Sequence, residues 1–222
     1  MADREQIFFR RLIAAMAPSG TYGYNSGGEP LDIPSLTYEE LKKFHADHYN
    51  PANSQILTFG DLDIPKTGAQ IEEALNSVPA GHVSPSIEPE PRWTEPKHVT
   101  FACPWNESAS DQEKQSTASV CWTVCDRADA WANFLGSIIG SLLCDGPSSP
   151  LYKQLIESGL GSEFSTGTGF IAYLKDSLFS AGLKGSVLIL RFIQIFGESE
   201  ISRIQPSEKY IFGETISIEI NF

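Results

Sequence analysis

Cysteine is scarce in this chain, basic charge is outnumbered, and long apolar runs are missing. The four cysteines, Cys103, Cys121, Cys125 and Cys144, fall at uneven spacings in 222 residues, which excludes the disulfide framework of a small secreted domain. Cys121 and Cys125 stand too far apart for the two-residue spacing of a zinc knuckle. On a strand they are expected to share one face, and all four read as small buried hydrophobes in a reducing compartment. Sixteen Lys and Arg against 28 Asp and Glu leave a formal net charge of −12. Such a surface does not neutralise phosphates, so nucleic acid is excluded as a partner class. Cationic partners are favoured, with simple solubility as the alternative reading of the same charge.

The longest apolar run, Val187–Ile195, is interrupted by Arg191 and Gln194 and falls well short of the ~20 residues that span a bilayer as a helix. The opening MADREQIFFRRL holds Asp3 and Glu5 and no apolar core, so it is expected to be no secretory or mitochondrial leader. Four glycines lie in Gly20–Gly28, but no G-K-S/T follows them, and G-x-S-x-G occurs nowhere. A phosphate-binding loop and an α/β-hydrolase elbow are therefore both excluded, and a rigid turn remains.

What is present begins with local helix signals. Asp3 is placed to cap a helix whose face carries Ile7, Phe8, Leu12, Ala15 and Met16, ended by Pro18, Ser19 and Gly20. Thr37 and Glu40 have capping-box spacing, with Leu36 and Leu41 as a hydrophobic staple. The helix they start runs through Phe44, His45 and His48 and stops near Tyr49, because Pro51 forces Asn50 out of helical conformation. Ser54–Phe59 predicts a short strand and Lys66–Ser77 a helix striped by Ile71, Ala74 and Leu75. A proline-rich, acidic stretch over 81–96 predicts a linker.

Beyond it, Lys97–Cys103 and Lys114–Val124 predict strands joined by a polar loop. Asp126 or Asp129 is placed to cap a helix with Trp131, Phe134, Leu135, Ile138, Ile139, Leu142 and Leu143, and its Gly136 and Gly140 suit close approach of another backbone. Ser149-Pro150 starts a further helix that stops at Gly159. Ser162–Phe170 and Ser177–Leu183 predict paired strands. The order suits an α/β fold, an α+β sandwich with mostly antiparallel pairing and helices on one face. After Gly185 the character changes, and residues 186–222 are expected to be a foreign or misread tail.

Two stretches carry a family resemblance. TYGYNSGGEPLDIPSLTYEELKKFHADHYNPANSQILTFGDLD, with its H-x-x-H-Y-x-P-x-N, and GPSSPLYKQLIESGLGSEFS resemble, in the same order, segments of the pitrilysin-type zinc metallopeptidases with an inverted zinc motif, in the presequence-protease branch. The resemblance covers roughly residues 1–185. It implies the α/β sandwich of the pitrilysin/LuxS-like metallohydrolase type, with 1–80 as the C-terminal part of a first domain, 81–96 as the linker, and 97–185 as part of a second domain. It further implies a parent that is a zinc endopeptidase of the mitochondrial matrix, degrading short basic or unfolded peptides.

The family's H-x-x-E-H is absent from all 222 residues. No catalytic, cofactor-binding or metal-ligating residue is therefore assigned by the resemblance, and zinc, though expected in a complete member, is not expected here. His45 and His48, with Asp47, are the nearest thing to a zinc set, but they lack the four-residue spacing and intervening glutamate of a catalytic helix. The competing reading has one histidine packed on a sheet and the other capping carbonyls at the helix C-terminus. Glu88, Glu90 and Glu95, with Glu107, Asp111 and Glu113, either attract basic peptides or form a solvated surface. A noncatalytic scaffold or peptide-binding subunit is the alternative function.

Overall fold

In the computed structural model the described residues are 3–79, 81, 87–94, 96–103 and 114–186, together with the backbone of 214–221. Contacts divide the chain into two units, Met1–Ser26 with Glu88–Phe222, and Gly27–Ile87. Composition places the first boundary at 80, whereas the contacts put the opening helix with the later sheet.

The larger unit is built on a six-stranded sheet. Its strands are β1 (Lys97–Cys103), β2 (Ser116–Asp126), β3 (Glu163–Phe164), β4 (Gly169–Ile171), β5 (Asp176–Ser186) and β6 (Glu214–Asn221). The order is β1-β6-β2-β5-β3, with β4 also pairing β5. All pairings are antiparallel except β2 with β6. The strand expected over 162–170 is thus two short pieces, parted by a turn in which Gly167 takes a φ of 89° that a side chain would strain. Both pieces pair with β5 as expected. The tail, expected to stand apart, supplies β6 between β1 and β2, where its alternating ETISIEIN suits a strand.

Helix α1 (Arg4–Met16) starts at Asp3, whose carboxylate accepts from the Glu5 amide at 3.0 Å. It buries Phe8, Leu12, Ile13 and Met16 against Cys103, Cys121, Ile171, Leu174 and Leu178. Helix α4 (Ala130–Cys144) is capped by Asp129, which accepts from the Ala132 amide at 2.9 Å. Helix α5 (Pro150–Tyr152) is capped by Ser149 and widens into a π turn over Lys153–Glu157. Leu155 there packs with Ala118, Val120 and Leu183.

Val120 and Cys121 are neighbours on β2 but belong to different clusters, and successive strand residues face opposite ways. Helices therefore cover both faces of the sheet, α1 on one and α5 with α4 on the other. The two helices expected between the strands, α4 and α5, share one face as expected, while α1 covers the other, since period-3.6 patterning reports that a helix has an apolar side without reporting which sheet face receives it.

The smaller unit holds α2 (Tyr38–His48) and α3 (Ile64–Asn76). The capping box forms as predicted, the Glu40 amide donating to Thr37 Oγ1 at 3.3 Å and the Thr37 amide to Glu40 Oε2 at 2.8 Å. The Thr37 hydroxyl, which also donates to Glu40 Oε2 at 2.8 Å, and the Thr37 amide hold the Glu40 carboxyl below its ordinary value. The staple residues Leu36 and Leu41 stay exposed. Helix α3 begins two residues earlier than expected, where Asp63 caps it and Pro65 occupies its first turn.

Ser54–Phe59 forms no strand, and Leu57 and Phe59 are 93% and 98% exposed. A strand is defined by its neighbour's hydrogen bonds, and no described residue of this unit supplies a partner strand.

Candidate functional site

The histidine pair lies at the end of α2. The His48 Nδ1 sits 2.9 Å from the carbonyl of Phe44, and its ring stacks on Phe44 at 4.2 Å. The His48 ring thus adds a second partner to a carbonyl in the last turn of the helix, as the competing reading held. His45 departs from that reading: it stacks on Tyr49 at 4.9 Å rather than on a sheet. Asp47 bonds Lys43 one turn back. The rest of the motif completes the same helix end. Asn53 donates to the His48 carbonyl at 2.9 Å, and Asn50 to that of Asp47 at 3.1 Å.

H-x-x-H-Y-x-P-x-N is therefore a helix-stopping device in which the histidines, the tyrosine and the last asparagine bond or stack. Tested as a zinc site the pair does not fit. It brings two imidazoles with no third donor, and no group of three or more His, Cys, Asp or Glu residues is placed to hold a metal among the described residues.

The acidic linker has a specific job at Glu90. Its carboxylate accepts from the amides of Ser19 and Gly20, each at 3.0 Å, and from the Ser19 hydroxyl. Its own amide donates to Asp176 at 2.9 Å, and Arg92 Nη2 donates to the other oxygen of Asp176 at 2.9 Å. Asp176 is buried at the start of β5. Beside it Lys175 pairs with Asp126 at 2.7 Å, which holds the Asp126 carboxyl below its ordinary value and the lysine above. Glu90 is thus neither solvated decoration nor a lure for basic peptides. Glu95, Glu107, Asp111 and Glu113 lie outside the described residues.

A cavity of about 240 Å³ opens between the first turn of α1 and the end of the sheet, where Arg4, Lys114 and Lys184 meet Glu5, Gln115 and Thr166. Arg4 donates to the Gln115 side chain at 2.7 Å and to its carbonyl at 2.6 Å. Lys184 pairs with Glu5 and, at 2.9 Å, with Glu163. The Lys184 ammonium and the Thr166 hydroxyl, which donates at 2.8 Å, draw the Glu5 carboxyl below its ordinary value. This is a locally cationic corner of an acidic chain. Sequence reasoning missed it, because Glu5 and Lys184 are 179 residues apart and no local signal joins them.

The cysteines are structural groups. Cys103, Cys121 and Cys144 are buried and Cys125 is half-buried. Burial pushes the Cys121 thiol up to about 11, far from a reactive thiolate. The shared face expected for Cys121 and Cys125 is corrected. A bulge between Thr123 and Cys125 moves the register so that Cys121 meets Ser180 and Cys125 meets Ser177. Those serines are three apart on β5 and so face opposite ways.

Helix α4 rests on β4 through Gly136 and Gly140, where a Cβ would lie 2.5 Å and 2.9 Å from Phe170. Its outer side leaves Trp131, Phe134, Leu135, Ile138, Ile139 and Leu142 between 39% and 68% exposed.

The larger unit is thus a mixed α/β domain, a six-stranded, mostly antiparallel sheet with helices on both faces, with no group of three metal-ligating side chains among the described residues. The chain belongs to the peptidase M16 family, whose model for the peptidase M16 inactive domain matches residues 35–196. Among its curated relatives are the mitochondrial presequence proteases of Xenopus tropicalis, 42% identical over 184 residues, and of Mus musculus, 41% identical over 184. In both, 82% of this chain aligns with 18% of the relative, so the chain spans about a fifth of their length.

The Emericella nidulans presequence protease is 31% identical over 221 residues and aligns with the whole chain, the tail included. A crystal structure of a peptidase M16 inactive domain from Pseudomonas fluorescens shares the fold at a TM-score of 0.57 and 21% identity, covering 88% of this chain and 46% of that one. No helix among the described residues is long and apolar enough to cross a membrane.

Proposed function

We propose that this chain is a noncatalytic part of a presequence-protease-like zinc endopeptidase. In this reading 1–80 is the end of one pitrilysin-like domain, 81–96 the connector, 97–185 most of a second domain, and 186–222 a divergent tail whose last strand the sheet has adopted. The complete protein degrades short unfolded peptides in the mitochondrial matrix. Zinc belongs to that complete protein, and no residue here serves as ligand or general base.

The carrying observation is the 42% identity to a protein of which this chain spans 18%, in a sequence without H-x-x-E-H. A net charge of −12 supports basic peptides as the partners drawn to it.

The test is elemental analysis of the purified chain together with hydrolysis of an unstructured basic peptide. The expected result is no stoichiometric zinc and no chelator-sensitive turnover. One tightly held zinc per chain, with hydrolysis abolished by a chelator, overturns the reading. A noncatalytic scaffold or peptide-binding subunit is the second reading, favoured by the match to a domain described as inactive. An in-frame H-x-x-E-H upstream in the transcript selects the enzyme, and its absence selects the subunit.

A further inference from the structure

We infer that the larger unit is a discontinuous domain closed at a neck, and that Glu90 is the pin of that neck. The chain leaves this unit after Ser26 and re-enters it at Glu88, so Gly27–Ile87 is an insertion. Its exit and its return are fastened to each other within the larger unit. The Glu90 carboxylate takes the amides of Ser19 and Gly20, each at 3.0 Å, and the Ser19 hydroxyl, across 71 and 70 positions of sequence. Gly20 suits this approach, since a Cβ there would already lie 3.4 Å from Glu90 Oε1. Behind the pin the returning chain is held in turn, the Glu90 amide on one oxygen of the buried Asp176 and Arg92 on the other, both at 2.9 Å.

Apolar contacts back the pin on both sides. Tyr22 on the outgoing chain and Trp93 on the returning chain pack against the same buried cluster, to which α1 supplies Phe8, Leu12, Ile13 and Met16, four of its nine members. No described residue of 27–87 belongs to that cluster. Burial of this kind, rather than covalent continuity, holds a helix on its sheet. Closing so long a loop costs little more than closing a short one, because the entropy lost grows only with the logarithm of its length. The neck therefore uncouples the two units: a break, a loss or a replacement within 27–87 leaves the larger unit folded with α1 in place. This holds for a part of a peptidase and for a noncatalytic subunit alike.

The test cuts the insertion out of the folded full chain. Recognition sequences for one specific protease are placed after Gly28 and after Val78, and the cleaved protein is followed by gel filtration at intervals after dilution. Residues 1–28 are expected to coelute with the remainder, which keeps a cooperative melt. Glu90→Ala, which takes the acceptor from all three donors, should speed the loss of the 1–28 piece at least tenfold. Ser19→Ala removes the hydroxyl alone and should speed it by less, and it decides the matter if Glu90→Ala does not fold before cleavage. Separation of 1–28 at the first time point, or unfolding of the remainder on cleavage, overturns the discontinuous domain. Retention of 1–28 at an unchanged rate in both variants overturns the role of Glu90 as its pin.

Discussion

The contact of α4 with β4 permits a quantitative test with single methyl groups. Replacing a helix-interior glycine by alanine ordinarily stabilises a helix by about 0.8–1.0 kcal/mol. At Gly140 the new Cβ would sit 2.9 Å from Phe170 Cβ and 3.2 Å from its amide nitrogen, whereas relaxed contacts lie at about 3.5–4.0 Å. Neither Phe170 atom can swing away, so the helix must lift by roughly half an ångström, an overpacking that costs about 1–3 kcal/mol. Gly140→Ala is therefore expected to destabilise the chain by up to roughly 2 kcal/mol.

Gly136 is nominally tighter, its Cβ falling 2.5 Å from Cε2 and Cζ of Phe170, but those atoms are the far end of a ring. Moving it costs about 0.5–1.5 kcal/mol, which the helix gain offsets to near zero. In a Phe170→Ala background Gly136→Ala should then recover its full gain, a coupling of about 1 kcal/mol, while Gly140→Ala should remain costly. Gly68→Ala on α3, where nothing lies within 4 Å, is the control for the bare helix gain. Guanidinium titrations followed by dichroism and tryptophan fluorescence measure all six variants. A stabilising Gly140→Ala, or strict additivity of Gly136→Ala with Phe170→Ala, refutes the packing argument.

Three further outcomes are expected. The Glu5 carboxyl lies below its ordinary value in the folded chain because of Lys184 and Thr166. Its contribution is thus complete above the unfolded value of about 4.3 and is lost as the pH falls through the lowered native value. Glu5→Gln should flatten that acid limb of the stability–pH curve, and an unchanged limb contradicts the contact. An aqueous disulfide reagent should titrate at most one thiol per folded chain, Cys125, since Cys103, Cys121 and Cys144 are buried, and all four after denaturation. Rapid labelling of two or more in the folded state contradicts the burial. Arg92→Ala removes a donor from the buried Asp176 and should cost about 1–3 kcal/mol in denaturant titrations; a cost within error places Arg92 in solvent.

Legibility from sequence followed the range of the interaction. The Thr37–Glu40 box, the Asp129 and Ser149 caps and the stop at Tyr49 were readable because each is completed within a few residues. The resemblance to a metallopeptidase family was readable from the same kind of local run, H-x-x-H-Y-x-P-x-N, although its histidines turn out to finish a helix. The face that receives α1, the partner of Ser54–Phe59 and the bulge that separates Cys121 from Cys125 depend on residues far away in sequence. The Glu5–Lys184 corner and the clasp of Glu90 on Ser19 and Gly20 are of the same kind. Composition counts charges and prolines without saying which ones meet.

The position of β6 sets an order of events during synthesis. Residues 97–103 and 116–126 emerge from the ribosome first, and the strand that joins them is made about ninety residues after β2. Until it arrives the growing polypeptide exposes two half-completed borders, each open to pairing with a neighbouring chain. Closing the gap then requires one long-range insertion, the slow kind of folding step. A cell making this protein should therefore hold the unfinished chain on chaperones until residues 214–221 have been made, and a stop codon shortly before residue 214 should yield precipitate rather than a smaller soluble product.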